Sequence, residues 1–361
     1  MRFVIFTHSL VSDWNHGNAH FLRGVATELI SRGIDVRIYE PTDGWSRQNL
    51  ISEHGSAPVL DFEQAYPLLR STLYDLSSLD LDDALQDADV GLVHEWNDPD
   101  LVARIGRHRA HKGAYQLFFH DTHHRSVTAP PSMAAYDLRH YDGVLAYGAV
   151  IRAIYLERGL ACNAWTWHEA ADTRVFYPRR ITGRDGDLVW IGNWGDDERA
   201  EELREFLIEP VRRLGLKACV YGVRYPPHAL EELARAGIEY KGWLPNYRVP
   251  EVFARFRMTV HVPRRPYATA LPGIPTIRPF EAMACGIPLI SAPWQDCENL
   301  FRPGVDFLFA RDGGEMAAQI GRVLSDPGDL AARGLETIQN RHTCAHRVDQ
   351  LFALTLREAA A

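Results

Sequence analysis

The sequence predicts an α/β protein built as two Rossmann-like, doubly wound domains. Two observations carry that prediction. Short apolar runs alternate with stretches of helical periodicity from one end of the chain to the other. A polar, Gly-rich stretch, Thr182-Gly183-Arg184-Asp185-Gly186-Asp187, interrupts the series midway, and the same alternation then begins again. A length of 361 residues suffices for two domains of ordinary size.

The first half opens with an apolar strand, Met1-Arg2-Phe3-Val4-Ile5-Phe6, and a long polar loop. A helix follows, in which Phe21, Leu22, Val25, Leu29 and Ile30 recur at helical spacing, and Gly33 stands where it would stop. Residues 35–39 read as the next strand, and apolar runs at 90–93, 116–119, 143–147 and 163–167 continue the set. Such runs between helices make parallel sheets covered on both faces. The second half carries strands at 188–191, 218–221, 258–262, 288–291 and 307–309, with helices near 198–214 and 229–236. Val348, Leu351, Phe352 and Leu356 give the last stretch a helical stripe. The expected domains are residues 1–176 and 177–342, with a terminal helix in 343–361 packing back on the first. The carboxyl ends of both sheets would face one interdomain cleft, where ligands of open α/β sheets bind.

Composition removes several function classes. Hydrophobic residues at 46% and charged residues at 24% are the balance of a globular chain, not a disordered or coiled-coil one. The formal charge, 39 − 47 = −8, repels phosphate backbones, so broad nucleic-acid binding is not expected. No apolar run reaches the ~18–20 residues that span a bilayer, and the first strand lacks a signal peptide's longer apolar core. Cys162, Cys219, Cys285, Cys297 and Cys344 are odd in number, with no C-x-x-C among them. Neither a disulfide framework nor a zinc site is indicated. The expectation is a cytoplasmic protein with reduced thiols, no metal and no cofactor.

The most informative segment runs from Leu271 to Ser291. A loop rich in Gly and Pro leads into a short helix that ends at Gly286 and feeds an apolar strand. Loop amides and a helix amino terminus make an anion pocket that suits a diphosphate. Glu281, within that helix, could accept hydrogen bonds from a ribose diol.

Pro279-Phe280-Glu281-Ala282-Met283-Ala284-Cys285-Gly286-Ile287-Pro288-Leu289 resembles the nucleotide-sugar motif of GT-B glycosyltransferases, closest to the CgeB-like, spore-maturation type. Three further stretches resemble that family in the same order: Ala171-Asp172-Thr173-Arg174-Val175-Phe176-Tyr177-Pro178, Tyr240-Lys241-Gly242-Trp243-Leu244-Pro245-Asn246, and Glu298-Asn299-Leu300-Phe301-Arg302-Pro303-Gly304-Val305-Asp306. The resemblance covers most of residues 165–350. It implies that Glu281 holds the donor ribose. The loop amides around Gly273, Ile274, Pro275 and Thr276 would face the diphosphate or sugar, and Gly242, Trp243 and Leu244 the base. Many retaining members carry a second Glu eight positions before the first, where this chain has Gly273. Gly192 and Asn193, after the strand ending at Ile191, match positions that approach the diphosphate. Members often have Arg where Asn193 stands, so Arg199, Arg264, Arg265 and Arg278 are the candidates for neutralising it.

In the first half, Phe118-Phe119-His120-Asp121-Thr122-His123-His124-Arg125 follows an apolar strand. Related enzymes often place a His just after this strand, touching the donor sugar. His120 matches it, with Asp121 as its orienting carboxylate or as base. The long loop after the first strand adds Asp13 and His16 as acceptor-facing groups, with Asn18 as a helix cap. Glu95 is a weaker candidate at another strand end. Asp98-Pro99-Asp100 fits D-x-D literally but reads as a turn.

The resemblance implies transfer of a sugar from a nucleotide diphosphate sugar, most often a UDP-sugar among relatives, to an acceptor the sequence does not name. An epimerase of the same build and a binding protein without catalysis are the alternatives.

Overall fold

The computed structural model describes residues 1–358. Its strands form two sheets in which every pairing is parallel. The first contains β1 (Arg2–Phe6), β2 (Asp35–Pro41), β3 (Thr72–Tyr74), β4 (Val90–His94), β5 (Gln116–Asp121), β6 (Gly143–Ala146) and β7 (Ala164–Thr166), in the order β3-β2-β1-β4-β5-β6-β7. The second contains β8 (Gly186–Ile191), β9 (Ala218–Tyr221), β10 (Ile238–Tyr240), β11 (Phe256–His261), β12 (Leu289–Ser291) and β13 (Leu308–Phe309), in the order β10-β9-β8-β11-β12-β13. Strand order reverses between β1 and β4 in one sheet and between β8 and β11 in the other. Those are the points where open parallel sheets hold ligands.

The central strands are continuous apolar runs because helices cover both their faces; all five residues of β4 are buried. The alternation of runs and helices therefore predicted them well. The edge strands β3 and β10 are absent from the expectation. Each has only three residues, too few to show a period.

Two compact units result. One is Met1–Glu169 with the helix that begins at Cys344; the other is Ala170–Thr343. The division falls at Ala170, before the Gly-rich stretch that looked like a linker. Gly186 and Asp187 of that stretch open β8. A Cβ on Gly186 would lie 2.6 Å from the Lys217 carbonyl, so the glycine there serves close packing, not flexibility. In the first unit, the helix Cys344–Glu358 packs along the helix Ala19–Ser31. Arg347 Nε donates to the His168 carbonyl at 2.8 Å, and Trp167 Nε1 to the Arg347 carbonyl at 2.9 Å. Among the described residues no helix is long and apolar enough to cross a membrane.

Candidate functional sites

The second unit builds a basic site at its switch point. Gly192 follows β8. Its N–H donates to the Tyr221 carbonyl at 2.9 Å, and its own carbonyl accepts from the Tyr225 hydroxyl at 3.0 Å. Gly222 lies against that carbonyl so closely that a Cβ would sit 1.9 Å from the oxygen. Next to it, Asn193 is held by two arginines. Arg199 Nη2 donates to the Asn193 carbonyl at 2.5 Å and to Oδ1 at 2.6 Å; Arg264 Nη2 donates to the same Oδ1 at 3.1 Å. Arg199 also reaches the Val262 carbonyl and lies over the Trp190 ring, 5.0 Å from its centroid. It is therefore not a surface partner of Glu202. That carboxylate pairs with Arg265, which also turns to Glu201, away from Asn193. Burial and the guanidiniums of Arg264 and Arg278 push Arg199 down to about 9, leaving it charged at neutral pH.

The helix Ile277–Ala284 begins at Thr276, whose φ of 62° with ψ of 179° is a region open almost only to glycine. Gly273 has φ +91°. Its N–H is taken by the Gln295 carbonyl at 2.6 Å, and a Cβ there would meet Glu298 Oε1 at 2.6 Å. Pro275 has no N–H and the Gly273 N–H is already used, so of the loop amides from 273 to 276 those of Ile274 and Thr276 are the ones left to face a ligand.

Glu281 is fully buried, so it is not a solvated surface carboxylate. Asn246 Nδ2 donates to its Oε1 at 2.6 Å, and Arg278 pairs with its Oε2. The loop after β10 thus comes to the same place as the helix. Within that loop the Gly242 carbonyl accepts from Gly222 N–H at 2.8 Å, so it is already used; Trp243 and Leu244 are half-buried. His261, at the end of β11, was missed by sequence reasoning. Its Nδ1 meets Ser291 Oγ at 2.8 Å and its Nε2 is buried without a partner. Burial, Arg199 and Arg278 push it down to about 3. A lone His in an apolar strand gives no signal beyond that of a core residue.

The first unit gathers histidines and tryptophans at the carboxyl edge of its sheet. His120 lies within β5 itself, not on the loop beyond it. It is fully buried, with ring centroids of Trp167 at 4.9 Å, His94 at 5.4 Å and Phe21 at 5.7 Å. Asp121 accepts from the Tyr155 hydroxyl at 2.9 Å and from His123 N–H at 3.1 Å. Beside it, Glu95 accepts from Thr122 N–H at 3.0 Å and from Arg125 Nη2 at 2.9 Å. Burial and mutual repulsion hold this carboxyl pair above the usual range, so that it keeps one proton between them near neutrality.

His16 packs against His8, ring centroids 4.1 Å apart, and His94 is 5.9 Å away. Trp45 stacks on His8 at 5.2 Å and 12°, and Trp96 lies beyond it. Two expectations are corrected here. Asp13 is not a free acceptor-facing base: its Oδ2 accepts from the fully buried Arg23 at 2.9 Å, because an uncompensated guanidinium there would be costly. Asn18 does not cap its helix; its amide donates to Glu169 at 2.9 Å. Asp98 caps the helix Pro99–Lys112 through Asp100 N–H. Among the described residues no group of three or more His, Cys, Asp or Glu side chains is placed to hold a metal ion.

Residues 199–353 match the family model described as glycosyl transferase-like. No curated protein matches the chain. Among solved structures, the sucrose-phosphate synthase of Thermosynechococcus elongatus is 15% identical over all of both chains, with a TM-score of 0.66. Anabaena HepE, solved with UDP and glucose, is 14% identical over 99% of each chain, with a TM-score of 0.66. An alpha-glucosyltransferase solved with UDP and a modified DNA is 12% identical over 99% of each chain, with a TM-score of 0.67. The fold is GT-B.

Proposed function

We propose that this chain is a glycosyltransferase that moves a hexose from a UDP-sugar to a hydroxyl acceptor. The observation that carries the reading is the convergence of Arg199, Arg264 and Arg278 at the switch point of the second sheet, beside the Asn246-held Glu281. Arg264 pairs with Glu198 and Arg278 with Glu281, while the buried Arg199 hydrogen-bonds to neutral oxygens and is held down by its two cationic neighbours, so a diphosphate, a dianion, would supply the countercharge it lacks. The guanidiniums supply the charge that a divalent cation supplies elsewhere, so the proposed transfer is metal-independent and uses no cofactor beyond its co-substrate. Residues 170–343 hold the donor, and residues 1–169 with the terminal helix hold the acceptor. Glu281 takes the ribose, Trp243 and Leu244 the base, and Ile274 and Thr276 the sugar-proximal phosphate. The choice of uridine is supported by the UDP in two of the solved neighbours. The ordered motifs around Glu281 support a CgeB-like member. Gly273, where relatives place a carboxylate, favours the second reading of a binding protein without turnover.

The test is a thermal-shift screen of UDP, GDP, ADP, TDP and CDP, followed by UDP-sugar turnover with and without EDTA. UDP at a hundredfold excess over its Kd stabilises by ~2.7 kcal/mol. No shift with any nucleotide overturns the proposal; a shift with no turnover selects the second reading.

A further inference from the structure

The first unit holds four buried histidines whose ring nitrogens are conspicuously unused. Both nitrogens of His8, both of His120, Nε2 of His16 and Nδ1 of His94 are buried and without a hydrogen-bond partner. Buried polar atoms are almost always paired, so six orphans on four neighbouring rings mark a place built for a polar guest. The rings are contiguous: His8 to His16 at 4.1 Å, His8 to His94 at 6.0 Å, His94 to His120 at 5.4 Å.

The charge state says what kind of guest. Burial and the neighbouring Arg125 push His8 down to about 3, and burial alone does the same to His120. His16 and His94 lie well below the ordinary histidine value for the same reason. All four are neutral at physiological pH. A neutral imidazole offers one donor and one acceptor. That pair matches a hydroxyl group, which also donates once and accepts. A phosphate or carboxylate, which only accepts, would use only the N–H half of each ring and find no countercharge, and an ammonium would use only the lone-pair half. The nearby full charges are already compensated, Asp13 by Arg23 and Arg125 by the one negative charge that the Glu95–Asp121 pair keeps. The rim is aromatic: Trp45 and Trp96 are half-buried, with centroids 6.3 Å apart at 70°, and Trp45 backs onto His8. Indole faces pack against the C–H face of a sugar ring while polar groups nearby take its hydroxyls.

We infer that this cluster is the acceptor site and that the acceptor is a neutral saccharide, its ring on Trp45 and Trp96 and its hydroxyls on His8, His16 and His94. The assignment of an acceptor rests on the proposed transfer; the binding of a neutral sugar here does not. His8 and His94 are new to the site, and Asp13 leaves it.

The test is calorimetric titration of the full chain, without donor, with neutral oligosaccharides (maltose, cellobiose, lactose, N,N′-diacetylchitobiose), an oligogalacturonate and a short single-stranded DNA. At least one neutral sugar is expected to bind and the two anionic probes are not. Trp45→Ala, at a half-exposed position, is expected to weaken that sugar about tenfold while leaving UDP affinity unchanged. His8→Phe keeps the ring and removes both nitrogens. With its circular dichroism retained, it is expected to abolish sugar binding. The inference is overturned if no neutral sugar binds, if only an anionic probe binds, or if Trp45→Ala binds the sugar as tightly as the parent. UDP binding measured in parallel separates this failure from failure of the donor reading.

Discussion

Asn246 Nδ2 donates to Glu281 Oε1 at 2.6 Å, tying the loop after β10 to the helix after β11. The two pieces of the second unit that would touch the nucleoside are thereby joined by a buried hydrogen bond, and Arg278 pairs with the other carboxylate oxygen.

That bond changes what a substitution at Glu281 does. Glu281→Ala leaves both Asn246 and Arg278 without their partner, so it is expected to cost stability as well as donor affinity. Hydrogen bonds to charged groups contribute ~1.5–3 kcal/mol each. Asn246→Ala removes one of them and is expected to weaken UDP by about tenfold. Urea unfolding and UDP calorimetry on both single variants and the double variant check this. The expected coupling is ~1–2 kcal/mol, since the residues are in contact; strict additivity would show that the bond does not organise the site.

Arg199 is expected to trade stability for binding. It sits buried beside two other guanidiniums, which is unfavourable without an anion. Arg199→Met keeps the length of the side chain and its packing on Trp190 while removing the charge. The variant is expected to unfold at the same or a higher temperature than the parent and to bind UDP ~10–100-fold more weakly, the loss of ~1.4–3 kcal/mol from one charge-assisted contact. A scan of melting temperature with and without UDP reads both effects.

Thr276 carries backbone strain at the start of the Glu281 helix. A side chain at φ 62° and ψ 179° costs ~1–3 kcal/mol. Thr276→Gly relieves it, less ~0.5–1 kcal/mol for glycine's extra freedom when unfolded. The expected result is a gain in chemical-denaturation stability of about 1 kcal/mol. Nucleotide affinity is expected to fall, because the Thr276 amide is then less firmly held.

The strands and the two-sheet plan were legible because apolar period lives within a few neighbouring residues. What stayed hidden depends on distant partners. Asp13 looks like a free loop carboxylate until Arg23 folds under it. Gly186 looks like a linker until Lys217 crowds it. His261 and His8 are single residues in apolar or polar runs, and only the sheet brings one beside Arg199 and the other against His16. His120 was placed on the right strand end but one layer too shallow, since β5 continues to Asp121.

Stability should pass through a maximum near neutral pH, with two limbs of different origin. His8, His16, His94 and His120 all titrate below the ordinary value of 6.5 in the folded chain. The unfolded state therefore binds more protons below that pH, and stability falls as pH drops from about 7 toward 4. The Glu95–Asp121 pair has the opposite sign. Its folded pKa values are raised, Glu95 to about 8, so the native chain keeps a proton that the unfolded chain has lost. That contribution is full at low pH and disappears as pH rises through about 8. Between pH 7 and 8 it is the main falling contribution, at no more than ~1.4 kcal/mol per pH unit for one proton, and at higher pH the raised thiols of Cys219, Cys285 and Cys297 add to the fall. Asp121→Asn keeps an acceptor for the Tyr155 hydroxyl, removes the repelling charge and lets Glu95 ionise against Arg125. Burial alone still raises Glu95, so urea unfolding from pH 5 to 8 should then show the acid limb intact and the fall above pH 7 reduced. A parent curve that keeps rising past pH 8 would show that the pair is fully ionised in the folded chain.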